Sequence, residues 1–128
     1  MKVKGTVRGG AGHFTPRMTR YKAAFDHAAG VELVPGTMNV HLHGGQSVPI
    51  RSDAVVQGEN IEDGKQDFLI EKCLVNGFPA FRIRPYDRIT GSGGWGDHVS
   101  ELASTVNLRA FLNLTDGSEV EIEFFRDE

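Results

Sequence analysis

The residues of this chain that could do chemistry cluster first in "VPGTMNVHLH", residues 34–43. Thr37, Asn39, His41 and His43 alternate there with Met38, Val40 and Leu42, and a period of two sorts side chains onto opposite faces of a strand. One face is apolar, while the other begins with a hydroxyl and a carboxamide just after a Pro-Gly turn. Neutral oxygens of this kind suit Mg²⁺, which is usually held by one or two protein ligands together with substrate phosphates and water. By spacing alone a structural reading is the simpler one: Asn39 caps the turn and Thr37 is a strand former on a solvated face. His41 and His43 share a face as zinc ligands would. His13, His27 and His98 are scattered in sequence, so the expectation is surface histidines.

A second group is "GGAGHF", residues 9–14, whose glycines would let backbone N–H groups approach an anion closely. Neither the P-loop pattern nor the Rossmann fingerprint is present, and a plain glycine turn between strands is the simpler reading. Basic residues gather near these loops: Arg8, Arg17, Arg20 and Lys22, then Arg82, Arg84 and Arg88, and finally Arg109 within "TVNLRAFL". Arginine suits phosphate through paired donors, although most such side chains are solvated charges. Trp95 lies in the glycine-rich "ITGSGGWG", where it would stack on a planar ligand or cover an end of the fold.

The elements that must position these groups are short. "KVKGTVR" (2–8) reads as a strand. "TRYKAAFDHAAG" (19–30) reads as a helix capped by Thr19, with Tyr21, Ala24, Phe25 and Ala28 on one face and Gly30 at the left-handed exit. Residues 37–43 form the next strand, followed by an extended piece at 47–50. "DFLIEKCLV" (67–75), Asn76-Gly77 and "FPAFRIR" (78–84) make a hairpin with a two-residue turn, and Pro79 points to an edge position or late pairing. Residues 98–104 read as a strand, 106–113 as a short helix, and Asp116-Gly117 turns into the last strand, 118–125. Five or six short strands with glycine-marked turns indicate an all-β fold, a small closed barrel with one crossover helix and a short second helix. With 128 residues and no visible linker, residues 1–128 are expected to form one domain.

Bulk properties narrow the function. The net charge of -3 argues against nucleic acid as a partner. One cysteine, Cys73, excludes an intramolecular disulfide and reads as a small buried hydrophobe. No apolar run is long enough to span a bilayer, so the expectation is a cytoplasmic protein with no membrane partner.

In this order the pieces resemble the archaeal-type CTP-dependent riboflavin kinases, a family of six-stranded cradle-loop barrels. The resemblance runs through "GTVRGGAGHF", "RYKAAFDHAAGVELVPGTMNVHL" and "SELASTVNLRAFLNLTDGSEVEI", and its most specific element is "PGTMNV" followed by "VNLR". It implies that Thr37 and Asn39 ligate Mg²⁺. It also implies that Gly10, Ala11, Gly12, His13 and Phe14 wrap the nucleotide, with Val106, Asn107, Leu108 and Arg109 completing its site. Thr90 and Glu101 would contact the flavin, and Glu101 is the candidate acceptor of the substrate proton. The implied reaction moves the γ-phosphoryl group of CTP to the 5′-hydroxyl of riboflavin, giving FMN and CDP, in a monomer. The glycine segment lacks the Glu that the family usually carries between its glycines. A flavin- or nucleotide-binding barrel without kinase activity is therefore the alternative, and a swapped-hairpin DNA-binding module, suggested only by the "LNLTDGSEVEI" ending, is disfavoured by charge.

Overall fold

The computed structural model describes residues 1–9, 14–58, 66–87 and 96–126. The element order is β1 (Lys2–Arg8), α1 (Phe14–Arg20), α2 (Lys22–Ala29), β2 (Met38–Leu42), β3 (Ala54–Val56), β4 (Gln66–Val75), β5 (Phe78–Asp87), β6 (Val99–Ala103), α3 (Leu108–Phe111) and β7 (Glu119–Phe124), with a single 3₁₀ turn at His43–Gly45. The strands form one antiparallel sheet ordered β3-β4-β5-β6-β2-β1-β7. A further β4–β7 pairing, with Cys73 opposite Phe124 and Val75 opposite Ile122, closes six of these strands into a barrel and leaves β3 as an appended edge strand. Closure satisfies the backbone donors and acceptors that an open sheet would expose.

Alternation along the strands produces two apolar layers. Val3, Val7, Val40, Leu42, Cys73, Val75, Leu102, Val120, Ile122 and Phe124 fill the inside of the barrel. Phe68, Ile70, Phe81, Ile83 and Ala103 face outward from β4, β5 and β6 and are covered by Phe14, Met18, Phe25, Ala29 and Leu33 from the helical segment. Phe68 is central to this outer layer: Phe14 meets it edge-on at 5.7 Å between centroids and Phe25 lies against it at 5.4 Å. A fully buried side chain of this size contributes about 1.5–3 kcal/mol.

Strand β1 has the expected bounds, and the hairpin follows its turn chemistry: Asn76 and Gly77 both take positive φ, 48° and 82°. Cys73 is buried inside the barrel, where desolvation pushes its thiol up to about 12.

Several expectations need correction. The single crossover helix is two helices, broken at Tyr21 (φ −111°, ψ 33°), and it starts at Phe14 rather than Thr19. Pro16 falls in the first turn, where the N–H it lacks would have had no helical acceptor. Thr19 therefore lies inside a helix and its hydroxyl donates back to the Thr15 carbonyl at 2.8 Å. Gly30 does end α2 in the left-handed conformation (φ 78°). Residues 47–50 make no strand, whereas Ala54–Val56 do. Of the two alternatives at Pro79, late pairing holds: β5 is an interior strand whose pairing with β6 starts at Phe81. No helix among the described residues is long and apolar enough to cross a membrane.

Candidate functional site

A cavity of about 160 Å³ opens where the end of the helical segment, the start of β2, the end of β6 and α3 converge. Thr37 lines it, together with Val106, Asn107, Leu108 and Arg109. The fold thus brings together two segments that lie about seventy residues apart in the chain. Thr15, the Val34–Gly36 turn and Leu102–Ser104 add to the wall, and composition or periodicity singles out neither Thr15 nor Ser104.

Local structure explains the shape of this wall. Gly36 adopts φ 112°, a conformation that side-chain-bearing residues rarely take, and a Cβ there would meet the Thr15 hydroxyl at 2.9 Å. The turn is pinned from the other side by Val34 N–H donating to the Ser104 carbonyl at 2.9 Å, while the Ser104 hydroxyl donates to the Pro79 carbonyl at 2.8 Å. Asn107 begins α3 as its N-cap, its Oδ1 accepting from Ala110 N–H at 3.1 Å. Arg109, on that helix, donates from one nitrogen, Nη2, to the Arg8 carbonyl (3.1 Å) and to Asp116 Oδ1 (2.6 Å).

Asn39 sits on β2 one residue beyond Met38, which itself lines the cavity. It is 5% exposed, and its Oδ1 accepts no hydrogen bond among the described residues. Leaving a buried carboxamide oxygen without a donor costs about 1–3 kcal/mol, so such an atom calls for a partner beyond the described residues. An oxygen of this type, with the Thr37 hydroxyl two residues earlier, fits a hard divalent cation whose remaining ligands come from phosphate and water. In register, Arg8 of β1 lies opposite Asn39, and Asn39 lies opposite Glu101 of β6. Directly opposed residues share a sheet face with their Cβ atoms about 5 Å apart, so Glu101 stands beside Asn39, half-buried.

The remaining sequence candidates are placed as follows. Phe14 is buried in the outer apolar layer. Gly10, Ala11, Gly12, His13, Arg88, Thr90 and Trp95 lie outside the described residues. His43 is exposed, its Nε2 3.2 Å from the Thr6 hydroxyl, and no group of three or more His, Cys, Asp or Glu among the described residues could hold a metal ion.

One basic residue departs from the solvated role expected of most. Arg82 is 1% exposed and lies inside the barrel, 4.0 Å from Glu71, which is 0% exposed. Glu71 also accepts from the Arg51 N–H at 3.0 Å and from Arg126 at 3.3 Å. Burial raises the Glu71 carboxyl above the ordinary range and lowers the Arg82 guanidinium to about 10. Neither residue lines the cavity.

Comparison with known proteins gives the family. The family model for the CTP-dependent riboflavin kinase domain, described as domain of unknown function DUF120, matches residues 5–124. A protein named riboflavin kinase from Methanocella arvoryzae is 31% identical over 129 residues, covering 95% of this chain and 55% of that protein. Another protein of that name, from Staphylothermus marinus, is 28% identical over 131 residues, covering 100% of this chain and 95% of its own length. The chain thus spans about half the length of the Methanocella relative and nearly all of the Staphylothermus one. The chain belongs to the CTP-dependent riboflavin kinase family.

Proposed function

We propose that this chain phosphorylates riboflavin, with CTP as donor and Mg²⁺ bound alongside the nucleotide. Membership of the family supports riboflavin and a nucleotide as the substrates. The observation that carries the reading is Asn39 Oδ1, buried and unpartnered among the described residues beside the cavity that Thr37 shares with Val106–Arg109.

In this reading Thr37 and Asn39 hold the cation, and the segment from Val106 to Arg109 receives the nucleotide. Gly10 to Phe14 contact the nucleotide, and Thr90 and Glu101 contact the flavin. Bound Mg²⁺ would neutralise charge on the triphosphate. Phosphoryl transfer asks the protein chiefly for alignment and electrostatic stabilisation. The 5′-oxygen of riboflavin bonds to the γ-phosphorus as the bond to the β–γ bridging oxygen breaks, and CDP departs. The hydroxyl proton passes to the Glu101 carboxylate, which stands opposite Asn39 in the β2–β6 ladder. Arg109 lines the cavity with a charge suited to the phosphates. The same reading takes residues 1–128 as one barrel domain acting on small molecules as a monomer.

The test is incubation with riboflavin, Mg²⁺ and each of CTP, ATP, GTP and UTP, followed by chromatography for FMN. FMN should form fastest with CTP and require the divalent ion. Tight flavin binding with no FMN from any nucleotide would instead establish a binding barrel without turnover.

A further inference from the structure

We propose that Asp116 is a positioning residue of the nucleotide site, acting through Arg109. This rests on the reading that the cavity bounded by Thr37 and Val106–Arg109 receives the nucleotide. Two segments distant in sequence, the end of β1 and the β6–β7 connection that carries both Arg109 and Asp116, meet at Asp116. The β6–β7 connection contributes Arg109, whose Nη2 donates to Asp116 Oδ1 at 2.6 Å and to the Arg8 carbonyl at 3.1 Å. The end of β1 contributes Arg8 and Gly9, and a Cβ built on Gly9 would lie 3.4 Å from Asp116 Oδ2. The turn that carries Asp116 is itself fastened to β1, with Gly117 N–H donating to the Val7 carbonyl at 2.8 Å and Val7 N–H donating to the Ser118 carbonyl at 2.8 Å.

The chemistry of the guanidinium gives this junction its consequence. Nη2 carries two hydrogens, and the carbonyl and the carboxylate take one each. The plane of the group is thereby fixed, and Nη1 and Nε make no hydrogen bond to the described residues. Arg109 lines the cavity, so the donors left over belong to a side chain whose orientation Asp116 sets before any ligand arrives. A planar fork held in place loses less freedom on meeting phosphate than one that must be ordered on binding.

The exposure of the pair makes the role separable from folding. The Asp116 side chain is 65% exposed and that of Arg109 35%, and ion pairs in such settings contribute little to stability. Asp116 also precedes Gly117, which takes φ 93°, so its second plausible task is to make the turn. Asp116→Asn separates the two, because Asn-Gly makes the turn as well as Asp-Gly but carries no charge.

The experiment measures CDP binding in the presence of Mg²⁺ by calorimetry, and KM for CTP and for riboflavin, in the wild type, D116N, D116E, R109A and R109A/D116N, with thermal melts as the fold check. D116N should weaken CDP binding and raise KM for CTP about fivefold, with riboflavin KM and melting temperature unchanged. D116E should recover most of the loss, and D116N should add nothing in the R109A background. Wild-type nucleotide binding by D116N while R109A binds weakly would overturn the role of Asp116 and leave the nucleotide site standing. Wild-type binding by both R109A and D116N would overturn the placement of the nucleotide as well. Additive losses in the double variant, or a matching change in riboflavin KM, would also refute action through Arg109.

Discussion

The cavity beside β2 and the barrel interior at Glu71 and Arg82 both hold buried polar atoms that the described residues leave unpartnered. They are Asn39 Oδ1 in the first region, and Glu71 Oε2, Arg82 Nη1 and Nη2, and Arg126 Nε in the second. Their surroundings differ. Asn39 is neutral and follows Thr37 and Met38, which line an opening of about 160 Å³. Glu71 and Arg82 are opposite charges 4.0 Å apart, with the Phe124 ring 5.5 Å from the Arg82 guanidinium carbon, and Arg126 over the same ring. An unpartnered atom beside an opening invites a ligand. The same deficiency inside a packed barrel is a structural cost, offset by the ion pair and the packing around it.

The comparison can be broken most strongly from the sealed side. Arg82→Met should destabilise the fold by about 3–5 kcal/mol at neutral pH, because it strips Glu71 of a buried counter-charge. Chemical denaturation measures this, and the FMN rate per folded molecule should stay near wild type. The loss should shrink on acidification. The Glu71 carboxyl is already raised by burial, and removing Arg82 raises it further. A group whose folded pKa exceeds its unfolded one contributes stability that is complete below the unfolded value of 4.5 and is lost as pH rises through the folded value. Replacing both partners, E71L/R82M, should recover only part of the loss, because the Arg51 N–H and Arg126 then lose their acceptor.

A smaller effect is expected from Gly36→Ala, at the cavity wall. The left-handed φ and the contact with the Thr15 hydroxyl should cost about 1–3 kcal/mol and raise KM for CTP, read from melts and steady-state kinetics. Smallest in stability is Asn107→Ala, which should cost about 1 kcal/mol through the lost cap of α3. Asn107→Asp retains a cap but adds a negative charge at the cavity, so its melting temperature should hold while CTP binding weakens.

How far these regions could be read in advance differs as well. The strands were legible because their alternation is regular, and the Asn76-Gly77 turn determines the hairpin register outright: a two-residue loop pairs Val75 with Phe78, and counting back pairs Glu71 with Arg82. What counting cannot reveal is that this pair points inward, since charged side chains in strands are usually solvated. The break at Tyr21 and the short strand Ala54–Val56 escaped because each is decided by packing on the outer face of the barrel, through Phe68 and Ile70, rather than by local propensity. At the candidate site, Thr37, Asn39 and Val106–Arg109 stood out through a resemblance between sequences. Spacing alone favoured a turn cap. Thr15 and Ser104 carry no local signal and Asp116 only a turn signal, because their places at the site depend on which distant segments the closed barrel brings into contact.

The central claim is that Thr37 and Asn39 supply the oxygens a phosphate-bound cation requires. The most direct measurement is calorimetric titration of CDP into the T37A/N39A variant, with and without Mg²⁺, after a melt has shown the fold intact. The wild type should bind CDP far more tightly when Mg²⁺ is present, and the double variant should bind equally with and without it. A double variant in which Mg²⁺ still tightens CDP binding as it does in the wild type would contradict the claim.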